Sequence, residues 1–116
     1  SLSFEASADL SSHQFKFVDL DANGRIELQT SSAAVCVGVL QDKPSALGQA
    51  GEVQYDGRAK VIAGAAVAIN AEVMSSTAGL AITATATNRV QGLALSASSA
   101  SGQLIEVLLL RGQRIA

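Results

Sequence analysis

A repeated β-hairpin pattern constrains this 116-residue chain more than any other feature of its sequence. Residues 88–110 contain two β-prone runs on either side of a small polar link that ends in glycine, which is typical of a strand, a connection and a returning strand. Residues 35–53 fall on the same frame when the sequence is shifted so that Gly38 lies on Gly92. Seven aligned pairs are then identical: Gly38/Gly92, Ser45/Ser99, Ala46/Ala100, Gly48/Gly102, Gln49/Gln103, Glu52/Glu106 and Val53/Val107. The sequence therefore predicts two copies of one hairpin.

The remaining pattern favours short strands. Two β-prone runs, Phe15–Leu20 and Arg25–Thr30, flank Asn23-Gly24, a dipeptide that suits a tight hairpin turn. Further runs recur at the spacing of about 8–12 residues that is typical of sandwiches and barrels. We therefore predict an all-β fold, a small β-barrel or sandwich (β-tulip-like) built on two related hairpins, with residues 15–116 as a single β-domain. A short helix across residues 63–74 is an open alternative, because alanine favours helix there.

The first 14 residues are polar and rich in serine, and they carry few large apolar groups. Such a composition does not build a core of its own, so we expect an extended N-terminal arm over residues 1–14 that a neighbour orders. Leu2, Phe4 and Leu10 are spaced as anchors for docking on a partner, for instance by strand addition. The alternative is a frayed terminus.

Charge and composition exclude several partners. A net charge of −2 gives no electrostatic footprint for nucleic acid or for an anionic membrane. The apolar runs are too short for a membrane span, and we expect synthesis in a cytosol. All four aromatic residues lie in the first 55 positions, so the second half packs on small aliphatic side chains. Because such side chains bury little apolar area each, association with another subunit is expected to add stability.

The candidate chemistry is sparse. His13 lies in the polar arm and Cys36 is the single cysteine, so neither a catalytic triad nor a multi-thiolate metal site can be assembled. Asp19, Asp21 and Asn23 copy the first half of a calcium-binding EF-hand loop. The loop's twelfth position, however, is Thr30 rather than glutamate, which favours a plain β-turn. We therefore expect no enzymatic activity, no cofactor and no metal.

Several segments resemble the small capsid decoration, or cement, proteins of tailed bacteriophages. The segments are Phe17–Arg25, Val37–Pro44, Gly57–Val61 with Ala63-Gly64, Arg89–Leu95 and Gly102–Val107. The resemblance implies a virion protein on the outer surface of an assembled icosahedral head, where it bridges major capsid subunits. It also implies a homo-oligomer, with a trimer favoured and a dimer possible, and an arm that contacts the capsid.

A soluble β-barrel module that binds a small ligand or a carbohydrate is the alternative function. Sugar sites usually present exposed aromatic platforms, and this chain has four aromatic residues and no tryptophan. The composition therefore favours the structural virion protein.

Overall fold

The computed structural model describes residues 2–30, 36–85 and 89–115. These residues form ten strands and no helix. The strands are β1 (Leu2–Glu5), β2 (Phe17–Leu20), β3 (Ile26–Leu28), β4 (Gly38–Leu40), β5 (Ala50–Gln54), β6 (Gly57–Ile62), β7 (Glu72–Ser75), β8 (Ala81–Thr83), β9 (Arg89–Ala94) and β10 (Leu104–Ile115).

The strands form two five-stranded antiparallel sheets with the same topology. The first sheet has the order β1-β5-β4-β2-β3 and the second has the order β6-β10-β9-β7-β8. Each sheet curls on itself, because a parallel bridge joins the residue after its first strand to its last strand. These bridges are Ala6 to Ile26 and Ala63 to Ala81. We call the two units the first barrel (residues 2–54) and the second barrel (residues 57–115).

The repeat extends over the whole of both barrels. The N–H of Ala6 donates to the carbonyl of Gln49, and the N–H of Ala63 donates to that of Gln103, both at 2.7–2.8 Å. Leu2 lies opposite Val53 in the first sheet, just as Ala59 lies opposite Val107 in the second. The predicted pair of related hairpins, β4–β5 and β9–β10, is therefore confirmed and is part of a larger duplication.

Each barrel encloses its own apolar cluster. The first cluster consists of Ala6, Leu10, Val18, Ile26, Leu40 and Val53, with Phe4 and Val37 packed against it. The second consists mainly of the equivalent positions Ala63, Val67, Val73, Ala81, Ala94 and Val107, and adds Ala59, Val61, Ile105 and Leu109. Three side chains of the first barrel also belong to this second cluster: Phe17, Cys36 and Val39. The two barrels therefore share apolar packing.

The all-β prediction is confirmed, and the open alternative of a helix across residues 63–74 is not what forms. Ala63 and Val67 are held in bridges to Ala81 and Ser98, and Asn70 adopts a positive φ of 69°, which an α-helix does not contain. Ser1, residues 31–35, residues 86–88 and Ala116, which lie within predicted segments, are outside the described residues.

Candidate functional site

Each barrel has a seam between its two edge strands. In the first barrel the seam lies between β1 and the turn at Gly24 that precedes β3, and in the second between β6 and the turn at Gly79 that precedes β8. Edge strands present backbone groups that can pair with another chain segment. The seams are therefore the places where each barrel can accept a partner.

The second seam is filled by a segment of the first barrel, Phe15–Phe17, which we call the bridging segment. The N–H of Ile62 on β6 donates to the carbonyl of Phe15 at 2.8 Å. On the other side of the seam the N–H of Phe17 donates to the carbonyl of Gly79 at 2.7 Å. The Phe17 side chain is fully buried in the second cluster. Backbone pairing and one aromatic side chain thus close this seam.

Within residues 2–30, 36–85 and 89–115, no segment fills the first seam in this way. Its two sides are joined by an ion pair, in which Arg25 Nε lies 3.3 Å from Glu5 Oε1, and both side chains are solvent-exposed to a large extent. Leu2 is 46% exposed, whereas its equivalent in the second barrel, Ala59, is 4% exposed. This seam is an accessible surface with an apolar side chain and two charges.

The glycines of the two turns show the same contrast. A Cβ on Gly79 would lie 2.6 Å from Leu28 Cδ1, so the first barrel packs tightly against that turn. A Cβ on Gly24 would have no atom within 4 Å. Equivalent turns are therefore covered in the second barrel and open in the first.

The turn at Gly24 explains the calcium-like sequence. Asp21 Oδ1 accepts hydrogen bonds from the N–H groups of Asn23 and Arg25, both at 2.9 Å. In the second barrel the hydroxyl of Ser76, which carries no charge, accepts the equivalent two bonds. Because serine builds the same turn, the Asp21 carboxylate has a structural role here.

The three predicted docking residues have different environments. Leu10 is 4% exposed in the first cluster, and its N–H donates to the carbonyl of Pro44 at 2.8 Å. Phe4 is half-buried against the same cluster, and Leu2 is the most exposed of the three. Residues 2–10, the described part of the expected arm nearest its start, thus pack on their own barrel. Contact with a capsid stays a prediction, and Leu2 is the residue best placed to make it.

Sequence reasoning missed the outer face of the second sheet. Leu104 and Leu108 on β10 point outward and are 48% and 37% exposed, and Leu93 lies directly opposite Leu108 on β9. The ion pair between Arg58 Nε and Glu106 Oε2, at 3.3 Å, crosses the same face. The alternation of Leu104, Glu106 and Leu108 along β10 was the signal that could have identified it.

A shallow depression lies at the border of this face. Its volume is about 340 Å³, and its lining residues are Phe15, Gln41, Arg58, Ala59, Lys60 and Glu106. Phe15 is its one aromatic residue, and the ring is half-buried. The depression therefore offers no broad aromatic platform for a sugar.

The titratable groups do not assemble into a reactive centre in the described part of the chain. Burial raises the pKa of the Cys36 thiol to about 12, so the sulfur is a poor nucleophile. Burial, with help from the charge of Lys16, lowers the pKa of His13. Among the described residues, no three His, Cys, Asp or Glu side chains are grouped so that they could hold a metal ion. The part of the chain that the structure describes contains no helix long and apolar enough to span a membrane.

Comparisons with known proteins connect this fold to phage heads. A family described as phage cement protein matches residues 1–109 of the chain. No curated protein matches the sequence. Among solved structures, the N base of the head fiber gp8.5 of bacteriophage phi29 is similar, with a TM-score of 0.74 and 15% sequence identity. The similarity covers 99% of this chain and 97% of that chain, and at this identity it shows a shared fold.

Proposed function

The chain belongs to the phage cement protein family, and we propose that it binds the outer surface of an assembled icosahedral head and stabilises the head by bridging major capsid subunits. The observation that carries the proposal is the family match, which spans the first barrel and most of the second. It makes the chain a structural virion protein. The buried, weakly acidic Cys36 thiol supports a role without catalysis.

The mechanism of stabilisation is mass action. A protein that binds the assembled shell, but not its dissociated subunits, stabilises the shell by the free energy of that binding. At about 100 times the dissociation constant the gain is about 2.7 kcal/mol per site. A domain built from two five-stranded sheets suits this role, because its backbone is already ordered and loses little conformational freedom when it binds.

We further propose that the protein is a homo-oligomer, with a trimer favoured over a dimer. Leu2, Leu104 and Leu108 are large apolar side chains left exposed on strands, where a neighbouring subunit could cover them. Scattered apolar side chains are common on monomers, but these lie on a sheet edge and a sheet face that are suited to pairing.

Docking of the first strand on the capsid is a separate proposal. The open seam of the first barrel presents Leu2, whereas Phe4 is half-buried against the first cluster and the buried Leu10 supports the barrel from inside. The variant Leu2→Asp is expected to weaken attachment to heads, because a charge replaces an apolar contact. Leu47→Asp is the control, since Leu47 is 64% exposed and its loop meets the chain at Ala6, at the opposite end of β1 from Leu2.

The decisive experiment uses heads assembled without the protein. Purified protein is added over a range of concentrations, occupancy is measured by cryo-electron microscopy, and the temperature of head disruption is measured in parallel. We expect saturable density on the outer surface and a disruption temperature that rises with occupancy. Undecorated heads at concentrations where the protein is folded and soluble would refute the proposed function.

A further inference from the structure

Phe15 is a residue that the fold itself does not require. Its φ is 65°, a left-handed backbone conformation that bulky side chains rarely adopt. The equivalent residue of the second barrel is Asn70, whose N–H donates to the carbonyl of Ala94 as that of Phe15 donates to Leu40. Asn70 has a φ of 69°, and asparagine tolerates this conformation. The Phe15 ring is half-buried and is not among the described members of either apolar cluster. Neither the backbone nor the cores therefore explain a phenylalanine here.

The ring forms one wall of the depression between the two barrels, and this wall is held in place by hydrogen bonds. The carbonyl of Phe15 accepts a hydrogen bond from the N–H of Ile62 at 2.8 Å. Beside it, the carbonyl of Gln41 accepts a hydrogen bond from Gln14 Nε2 at 2.9 Å, and Gln41 Nε2 donates to the carbonyl of Val39 at 3.3 Å. The first barrel thus supplies a preorganised wall, which lowers the entropy cost of binding a ligand.

The second barrel supplies the opposite wall, which is basic. Arg58 and Lys60 are both exposed and lie two residues apart on β6, so they share one face of the strand. Arg58 Nε lies 3.3 Å from Glu106 Oε2, whereas Lys60 forms no ion pair within the described part of the chain. Lys60 lies opposite Glu106 in the second sheet, as Ser3 lies opposite Glu52 in the first. Because the same fold accepts serine at this position, the lysine is not needed for folding.

The charges of the two barrels favour an acidic ligand for this depression. Residues 57–116 carry five basic and two acidic residues, whereas residues 1–54 carry three basic and seven acidic residues. The cations of the depression belong to the basic barrel, which attracts an anionic group. Its volume of about 340 Å³ suits a few side chains, and Phe15 and Ala59 offer apolar contact beside the cations.

We propose that this depression, which we call the junction pocket, binds an acidic side chain and a neighbouring apolar side chain from an extended segment of a capsid subunit. Lys60 pairs with the carboxylate, and the ring of Phe15 packs against the apolar neighbour. This assignment rests on the proposed function. It gives one copy a second contact, apart from the first seam, so that the same copy can bridge two capsid subunits.

A peptide experiment tests the chemistry of the junction pocket without heads. The probe is acetyl-Leu-Glu-Leu-amide, and acetyl-Leu-Gln-Leu-amide is the neutral control of nearly the same shape. In titrations of isotope-labelled protein followed by NMR, the acidic peptide should shift the amide signals of Phe15 and Lys60. The neutral peptide should bind about fivefold more weakly, because it lacks the charge that pairs with Lys60. Equal responses to both peptides, or none around the pocket at millimolar concentration, would overturn the proposal.

A charge reversal tests whether the capsid supplies the ligand. Lys60→Glu should weaken binding to heads by about tenfold, because repulsion replaces attraction. Lys43→Glu is the matched control, since it makes the same charge change at an exposed lysine in a loop of the first barrel, and its binding should stay within about twofold of the wild type. Added salt should weaken the wild type more than Lys60→Gln.

The variant Phe15→Asn tests the ring separately. Asparagine already occupies the equivalent position in the second barrel and suits the φ of 65°, so the variant should keep the stability of the wild type. Head binding should fall about fivefold, because an apolar contact is lost. Circular dichroism and thermal unfolding measure the stability. A clearly less stable Phe15→Asn would mean that the ring supports the fold, which contradicts its assignment to the pocket.

The two readouts separate this assignment from the proposed function. If the acidic peptide binds through Lys60 but wild-type protein does not bind heads, the pocket chemistry stands and the proposed function fails. If wild-type protein and Lys60→Glu bind heads equally well, the proposed function stands and the capsid is not the source of the ligand, so the proposal is wrong. A Lys60→Glu variant that loses its oligomer in analytical ultracentrifugation, but still binds heads, would assign the pocket to a second copy and would also overturn it.

Discussion

Gly38 and Gly92 occupy equivalent places at the centre of the two barrels, and in both places a neighbouring strand approaches very closely. A Cβ on Gly38 would lie 2.3 Å from the carbonyl oxygen of Gln54, and one on Gly92 would lie 2.3 Å from that of Leu108. Both obstacles are backbone atoms, which cannot rotate away. The glycines are therefore required by strand spacing.

We expect Gly38→Ala and Gly92→Ala each to lower the free energy of unfolding by about 2–3 kcal/mol, because the strands must separate to admit a methyl group. Gly24→Ala is the control. Its φ of 75° disfavours alanine, but no atom lies near the added methyl, so a loss of about 1 kcal/mol is expected. Urea denaturation measures all three. Similar losses at Gly24 and Gly92 would show that close approach is not the cause.

The buried Cys36 thiol makes stability depend on pH. Its pKa is raised from 9.0 to about 12 in the folded protein, so the unfolded chain releases this proton first. The stabilising contribution is complete below pH 9 and is lost progressively as the pH rises towards 12. By pH 10 the total loss is about 1.4 kcal/mol.

The matched variant is Cys36→Ala, which removes this titration. Urea unfolding at pH 8 and pH 10 should show a larger decrease in stability for the wild type than for the variant, by about 1.4 kcal/mol. Parallel decreases would mean that the thiol ionises equally well in the folded protein.

At the scale of the element, residues 2–10 combine an open strand edge with buried anchors. β1 pairs with β5 through four residue pairs, and the chain beyond it buries Ala6 and Leu10 under the first sheet. Removing the whole segment would uncover the first cluster, so its role in docking has to be studied with single substitutions.

Leu10→Ala is expected to cost about 2–4 kcal/mol of stability, because it leaves a cavity in a closed core. Leu2→Ala should cost less than about 1 kcal/mol, since Leu2 is 46% exposed. Thermal and urea unfolding compare the two leucines directly. A negligible effect at Leu10 would indicate that residues 1–14 are an independent arm after all.

At the scale of the whole molecule, the bridging segment couples the two barrels. Phe17 belongs to the chain of the first barrel but is fully buried in the cluster of the second. Two backbone hydrogen bonds, from Ile62 and to Gly79, hold the segment in place. The barrels should therefore unfold together in a single transition.

Phe17→Ala should lower the free energy of unfolding by about 3–5 kcal/mol, because a fully buried ring is lost from the second cluster. It should also speed amide exchange selectively in β6, whose Ala59 and Val61 belong to that cluster. The control is Leu47→Ala, which should have little effect on stability because Leu47 is 64% exposed. Hydrogen exchange measured by mass spectrometry distinguishes β6 from the strands of the first barrel. Uniform acceleration over both barrels would argue against a local role for Phe17.

The sequence by itself determined the β class, the turn at Asn23-Gly24 and the related hairpins, because alternation, turn residues and matching glycines are local properties. It also carried the resemblance to cement proteins. Tertiary structure decided the rest. The duplication of β1–β3 in β6–β8 is visible through equivalent hydrogen bonds rather than through identical residues. Alternation along a strand shows that one face is apolar, but it does not show what covers that face. The fates of Leu2 and Leu10 differ for this reason: both are leucines in a polar segment, and only the fold places one beneath a sheet and the other at an open seam.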